Sequence, residues 1–91
     1  MTQRIEKTFT IVNSLGLHAR PAAMVVQTAN RFRSEVQFEK DGLQINAKSI
    51  MGVLTLAAGR GSTVIVTCEG EDAPAALAAL AKVFESGFGE R

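Results

Sequence analysis

The sequence has no tryptophan and no tyrosine, and its five phenylalanines are its only aromatic residues. A sheet that reads RNA displays stacking aromatics on a basic face. Neither is offered here, since ten Lys and Arg against nine Asp and Glu leave a formal net charge of +1. That balance gives no strong field toward nucleic acid or an acidic membrane surface. A single cysteine, Cys68, excludes an intramolecular disulfide. It sits in an apolar run and reads as a small core residue; a reactive thiol would need a basic or helix-start setting. One histidine and one cysteine cannot make an ordinary structural zinc site, so neither metal nor cofactor is expected. No apolar run is long enough to span a bilayer. Met1-Thr2-Gln3-Arg4 leads into a strand pattern with no signal-peptide core. The expected setting is therefore cytoplasmic, without membrane insertion. The length of 91 residues allows one domain, residues 1–91, with one modest core.

The hydrophobic pattern predicts seven elements. Ile5 to Val12 reads as a strand, because Thr, Ile, Val and Phe favour extended backbone. Residues 19–32 read as a helix with Ala22, Val25, Ala29 and Phe32 on its buried face. Ser34 to Lys40 is a strand with Val36 and Phe38 inward; Asp41-Gly42 is a two-residue hairpin turn; Leu43 to Ala47 returns. Lys48 to Leu56 is a short helix with Ser49 as N-cap and Ile50, Val53 and Leu54 at helical spacing. Thr63 to Glu69 is a strand whose Val64-Ile65-Val66 run suits a central position. Asp72 can cap a last helix, Pro74 suits its first turn, and Gly87 ends it. Its buried stripe is Ala73, Ala76, Leu77, Leu80, Ala81 and Phe84. Three helices and four strands suit a two-layer α/β (α+β) open-faced sandwich, order β-α-β-β-α-β-α, with the helices on one face.

The only histidine, His18, falls where the turn residues Asn13, Ser14 and Gly16 give way to the first helix. Pro21 is tolerated in that first turn, where N–H groups lack intrahelical partners. Those groups and the helix dipole make a helix start a site for anions. The positive helix end also disfavours an imidazolium and so is expected to keep the ring neutral and nucleophilic. Arg20, two positions on, can add charge-assisted hydrogen bonds to phosphoryl oxygens. A nucleophilic ring at such a place points to phosphoryl uptake; a surface or capping histidine without chemistry is the plain alternative. No carboxylate or metal cluster is expected near His18, so partners would have to supply the rest of the catalysis.

Gly16-Leu17-His18-Ala19-Arg20-Pro21-Ala22 resembles the active-site signature of the HPr family, the histidine-containing phosphocarriers of the bacterial phosphoenolpyruvate:sugar phosphotransferase system. Lys48-Ser49-Ile50-Met51-Gly52 resembles that family's regulatory-serine segment, at the family's usual separation, and the Gly-Phe-Gly-Glu tail also fits. The resemblance implies an antiparallel four-stranded sheet and a phosphoryl group carried on Nδ1 of His18, with Arg20 stabilising it. It implies a stoichiometric carrier and not a stand-alone enzyme. Enzyme I would be the donor and IIA domains of sugar permeases the acceptors. Ser49 would be a target of HPr serine kinase/phosphorylase, although an N-cap serine needs no such role. The implied docking surface is Ala23, Met24, Gln27, Ile50 and Met51 around His18 and Arg20, on a monomer. Met24 reads equally as covered core and as soft contact surface. Asn13, Gly16 and Pro21 are supporting positions; Asn13 can also simply form a turn. Two alternatives stand beside the carrier: a regulatory paralogue, in a nitrogen-related phosphorelay or carbon catabolite control, and a non-catalytic α/β interaction module with a structural His18.

Overall fold

The computed structural model describes residues 3–90; Met1 and Thr2, on which part of the N-terminal reading falls, lie outside the described residues. The elements run β1 (Gln3–Thr10), α1 (Ala19–Ala29), β2 (Glu35–Lys40), β3 (Leu43–Asn46), α2 (Ile50–Thr55), β4 (Thr63–Gly70) and α3 (Ala73–Glu85), followed by a 3₁₀ turn at Gly87–Gly89. The strands form one sheet in the order β1-β4-β2-β3, antiparallel throughout. β4 is thus an interior strand, as its valine run requires. Val64, Val66 and Cys68 are wholly buried under the helices, paired with Phe9, Phe38 and Val36. The three helices cover one face, and the sandwich expected from the pattern is the one found.

The hairpin turn forms as its sequence dictates: Asp41 and Gly42 both take positive φ, 51° and 84°, the requirement of the tight turn that matches strand twist. Phe84 of α3 is the centre of the core. Its ring stacks on Phe9 at 4.7 Å, tilts against Phe38 at 5.6 Å and meets the edge of Phe88 at 5.1 Å. These four phenylalanines thereby join β1, β2, α3 and the C-terminal turn into one packed unit.

Several boundaries differ from the sequence reading. β1 occupies residues 3–10 rather than 5–12, because beyond Thr10 the chain bonds a turn instead of a strand: the Ile11 N–H donates to Ser62 O at 2.9 Å and Ile11 O accepts from Gly61 N at 2.8 Å. α1 stops at Ala29 rather than Phe32. The side chain of Asn30 donates to the carbonyls of Val26 (2.9 Å) and Lys48 (3.2 Å), and the following N–H groups tighten into bonds three residues back. In α2 only Val53 is buried; Ile50 and Leu54 are both exposed. Six residues make under two turns, so one face cannot be filled twice, and Leu56 and Ala58 beyond the helix end supply the remaining apolar contacts. Asp72 stands at the N-cap of α3 but makes no capping bond with its side chain. Its carboxylate accepts from the backbone N–H groups of Arg33 and Ser34, both at 2.9 Å, and from the Ser34 hydroxyl. It therefore joins the start of α3 to the start of β2. These bonds, the Ser34 hydroxyl first, hold the Asp72 carboxyl down at about 2.

Candidate functional site

The loop before α1 is set by one close approach. Leu17 N donates to Ala58 O at 2.8 Å, drawing residues 16–17 against the turn that precedes β4. Gly16 adopts φ 67° there, and a Cβ on it would lie 2.7 Å from the Cα of Gly59. Only glycine fits both the dihedral and the space. Asn13 is 1 % exposed, and its Nδ2 donates to Gly16 O at 2.8 Å. Asn13 thus both makes the turn and holds the site loop.

His18 is the N-cap residue of α1, with extended backbone at φ −76°, ψ −170° and no side-chain capping bond. Its carbonyl accepts the first helical bond, from Ala22 N at 2.9 Å. No acidic residue occupies the first turn, so the positive end of α1 is not compensated by the helix itself. Pro21 and Ala22 are buried, anchoring that turn, while Arg20 is exposed beside the ring.

The ring's nearest charged neighbour comes from the other end of the chain. Glu90 places Oε1 3.0 Å and Oε2 3.1 Å from His18 Nε2, and Oε1 also accepts from Asn13 Nδ2 at 3.0 Å. Sequence reasoning did not place this single carboxylate beside His18. The physical reason is the tail: Phe88 is buried against Phe84, and the Gly87–Gly89 turn that contains it carries Glu90 back over the start of α1. The His18 side chain keeps 34 % of its surface and Glu90 18 %. The hydrogen bond with His18, then that from Asn13 and the charges of His18 and Arg20, lower the Glu90 carboxyl below its ordinary range against partial desolvation. A carboxylate only accepts, so Nε2 is the nitrogen that carries a proton and Nδ1 holds the lone pair of the neutral ring.

Ser49 is not brought to His18. It caps α2, its Oγ accepting from Gly52 N at 3.2 Å. Its neighbour Lys48 is bonded to Asn30 at the far end of α1, so 11 residues of helix, about 16 Å at 1.5 Å per residue, separate the two. The expected docking residues differ in exposure. Gln27, Ile50 and Met51 are exposed, Met51 at 71 %, and Ala23 and Met24 half-buried. Met24 is partly buried and packs against the core. Among the described residues no group of three or more His, Cys, Asp or Glu could hold a metal ion, and no helix is long and apolar enough to cross a membrane.

Comparison with known proteins bears on this geometry. The family model described as the PTS HPr component phosphorylation site matches residues 5–86. Phosphocarrier protein HPr of Treponema pallidum is 46 % identical over 86 residues, covering 94 % of this chain and 98 % of that protein. The HPr-like protein Crh of Halalkalibacterium halodurans is 51 % identical over 81 residues, covering 89 % and 96 %. The crystal structure of HPr-C-His from Thermoanaerobacter tengcongensis superposes with a TM-score of 0.92 at 48 % identity, covering 96 % of this chain and 98 % of that one.

Proposed function

The chain belongs to the HPr family of phosphotransferase-system phosphocarriers, and from that membership and the site geometry we propose that residues 1–91 act as one domain that carries a phosphoryl group on His18. Phosphorylated enzyme I is the donor and IIA domains of sugar permeases are the acceptors. The observation that carries the reading is the placement of the partly open His18 ring as N-cap of α1. A helix start leaves its first-turn N–H groups without intrahelical partners, free to bond a phosphoryl group. A dianion near a helix end gains about 0.3–1 kcal/mol when exposed, and Arg20 adds charge-assisted hydrogen bonds. This is a weak hold, which suits a group that must be passed on. Nδ1, the nitrogen left with the lone pair, is the acceptor atom. Ala23, Met24, Gln27, Ile50 and Met51 form the docking surface, in which Ile50 and Met51 offer exposed apolar groups. Encounters there are transient and modest in area.

The test is mass spectrometry after incubation with enzyme I, phosphoenolpyruvate and Mg²⁺, beside His18→Ala. One acid-labile phosphoryl group, absent in the variant, is the expected result. No addition from a matched, active enzyme I would refute the carrier reading and bring the interaction module forward.

A second reading is favoured by the likeness to Crh: output through Ser49 to a regulatory partner, with HPr serine kinase/phosphorylase acting there. A phosphate on Ser49 adds about −1.5 to −2 charges at a helix start, where it is tolerated. It would sit beside Ile50 and Met51 and change docking without unfolding α2. Incubation with that kinase and ATP, with Ser49→Ala as control, decides it by an acid-stable phosphate on Ser49 or its absence.

A further inference from the structure

Glu90 has no part in the relay as stated above, yet it makes the shortest contacts to the ring that the relay depends on. We propose that Glu90 is a positioning residue for phosphoryl transfer: its carboxylate keeps the proton on Nε2 of His18 while Nδ1 takes the phosphoryl group, and keeps it there when the group departs. The inference rests on the carrier reading and names a residue that deepens it.

Three features separate this carboxylate from a chance surface contact. Both of its oxygens lie within 3.1 Å of Nε2, so the contact survives a flip of the carboxylate. It is held from behind by Asn13, which is 1 % exposed and bonds Glu90 and the Gly16 carbonyl with the same amide nitrogen. The loop that carries His18 therefore also grips its hydrogen-bond partner. The tail is fixed in turn by the buried Phe88 and by Glu90 N donating to Gly87 O at 2.9 Å. The charges that act on the Glu90 carboxylate are those of His18 and Arg20.

The transfer balances as follows. The Nδ1 lone pair attacks phosphorus, the bond from phosphorus to the donor breaks, and its electron pair leaves with the donor. His18 releases no proton. The ring then carries the phosphoryl group on Nδ1 and hydrogen on Nε2, and its positive charge lies against the carboxylate. In the onward step the acceptor's lone pair attacks phosphorus and the Nδ1–P electrons return to Nδ1, regenerating the neutral ring in its starting tautomer. Without the Nε2 hydrogen the ring would have to depart as an anion, a far poorer leaving group. The same carboxylate repels the phosphoryl oxygens and so favours passing the group on, while Arg20 holds it.

The experiment compares the parent with Glu90→Gln and Glu90→Ala. Glutamine can still accept from Nε2–H but carries no charge; alanine does neither. Long-range ¹H–¹⁵N spectra of the ring read the tautomer without any phosphorylation. A proton fixed on Nε2 is expected in the parent and in Glu90→Gln, and an exchanging mixture in Glu90→Ala. Onward transfer to a purified IIA domain is then followed against pH. Both variants should lose rate at lower pH than the parent. At pH 8 Glu90→Gln should be about fivefold slower, the difference between a charged and a neutral hydrogen bond, and Glu90→Ala slower still. A Glu90→Ala ring spectrum and pH profile superimposable on the parent's would overturn the proposal. If the parent itself takes up no phosphoryl group, the carrier reading fails separately, and the ring spectra alone decide whether Glu90 sets the proton.

Discussion

Phe88 offers the sharpest perturbation of the tail, because its backbone and its ring pull in opposite directions. The backbone is left-handed, φ 60° and ψ 28°, which costs a residue with a Cβ about 1–2 kcal/mol. The ring is 2 % exposed and meets Phe84 edge-on at 5.1 Å. Truncating a buried phenylalanine to alanine costs about 3–5 kcal/mol. Phe88→Ala is expected at the lower end of that range, about 3 kcal/mol. Alanine keeps the Cβ and hence the strain. Phe88→Gly loses the same ring but relieves the strain, against about 0.5–1 kcal/mol for the freer unfolded chain. It should therefore be the more stable of the two, by about 0.5–1 kcal/mol.

With neither tryptophan nor tyrosine in the sequence, the assay is urea unfolding followed by far-ultraviolet circular dichroism. For a domain of this size about 3 kcal/mol lowers Tm by roughly 12–24 °C. Both variants should also free Glu90, and their His18 ring spectra should match that of Glu90→Ala. A loss under 1 kcal/mol for Phe88→Ala would refute the view that this ring belongs to the core. An alanine variant at least as stable as the glycine variant would refute the strain. A parent-like ring spectrum in a clearly destabilised Phe88→Ala would show that the tail reaches His18 without its anchor.

Three further outcomes follow from the same geometry. Asp72, depressed from 3.8 to about 2 by the Ser34 hydroxyl and the Arg33 and Ser34 N–H groups, contributes stability that is complete above about pH 4 and lost as pH falls through about 2; unfolding curves across that window should show a shallower acid limb for Asp72→Asn, and an unchanged limb would contradict the bonding. Gly16→Ala meets both a positive φ and the Gly59 backbone; it should lower stability by about 2 kcal/mol or more and slow phosphoryl uptake at His18, whereas a parent-like Tm would show that the loop can move aside. Cys68 is wholly buried, and burial first, then the Asp72 charge, push its thiol up to about 11; a thiol reagent at pH 8 should label it only in urea, and rapid labelling of the native protein would contradict its place under the helices.

What the sequence disclosed and what it withheld divide along one physical line. Features encoded within a few residues were legible: the Asp41-Gly42 turn, the valine run of β4, the alternation in β2, and the His18 loop opening a helix. The glycine at position 16 was legible as a turn former, but not as the point where the loop meets residues 58–59, since nothing local names that neighbour. Where an element ends depends on competitors supplied from elsewhere. Asn30 stops α1 partly because it can reach Lys48, 18 residues on, and Asp72 abandons its cap because Ser34, 38 residues back, offers better donors. A residue that bonds its own helix can be read from its spacing; one that chooses between its helix and a distant strand cannot. Glu90 is the extreme case. It meets His18 across 72 residues, and in sequence it is one acidic residue in a short tail. The only local signal was the phenylalanine between two glycines, a large apolar side chain where a frayed end would be polar. A buried aromatic just past a helix stop implies that the chain after it is held, and a charge two residues beyond a held point has a fixed address. Here that address is the one histidine, so the tail completes the proton arrangement of the ring that the head of α1 presents.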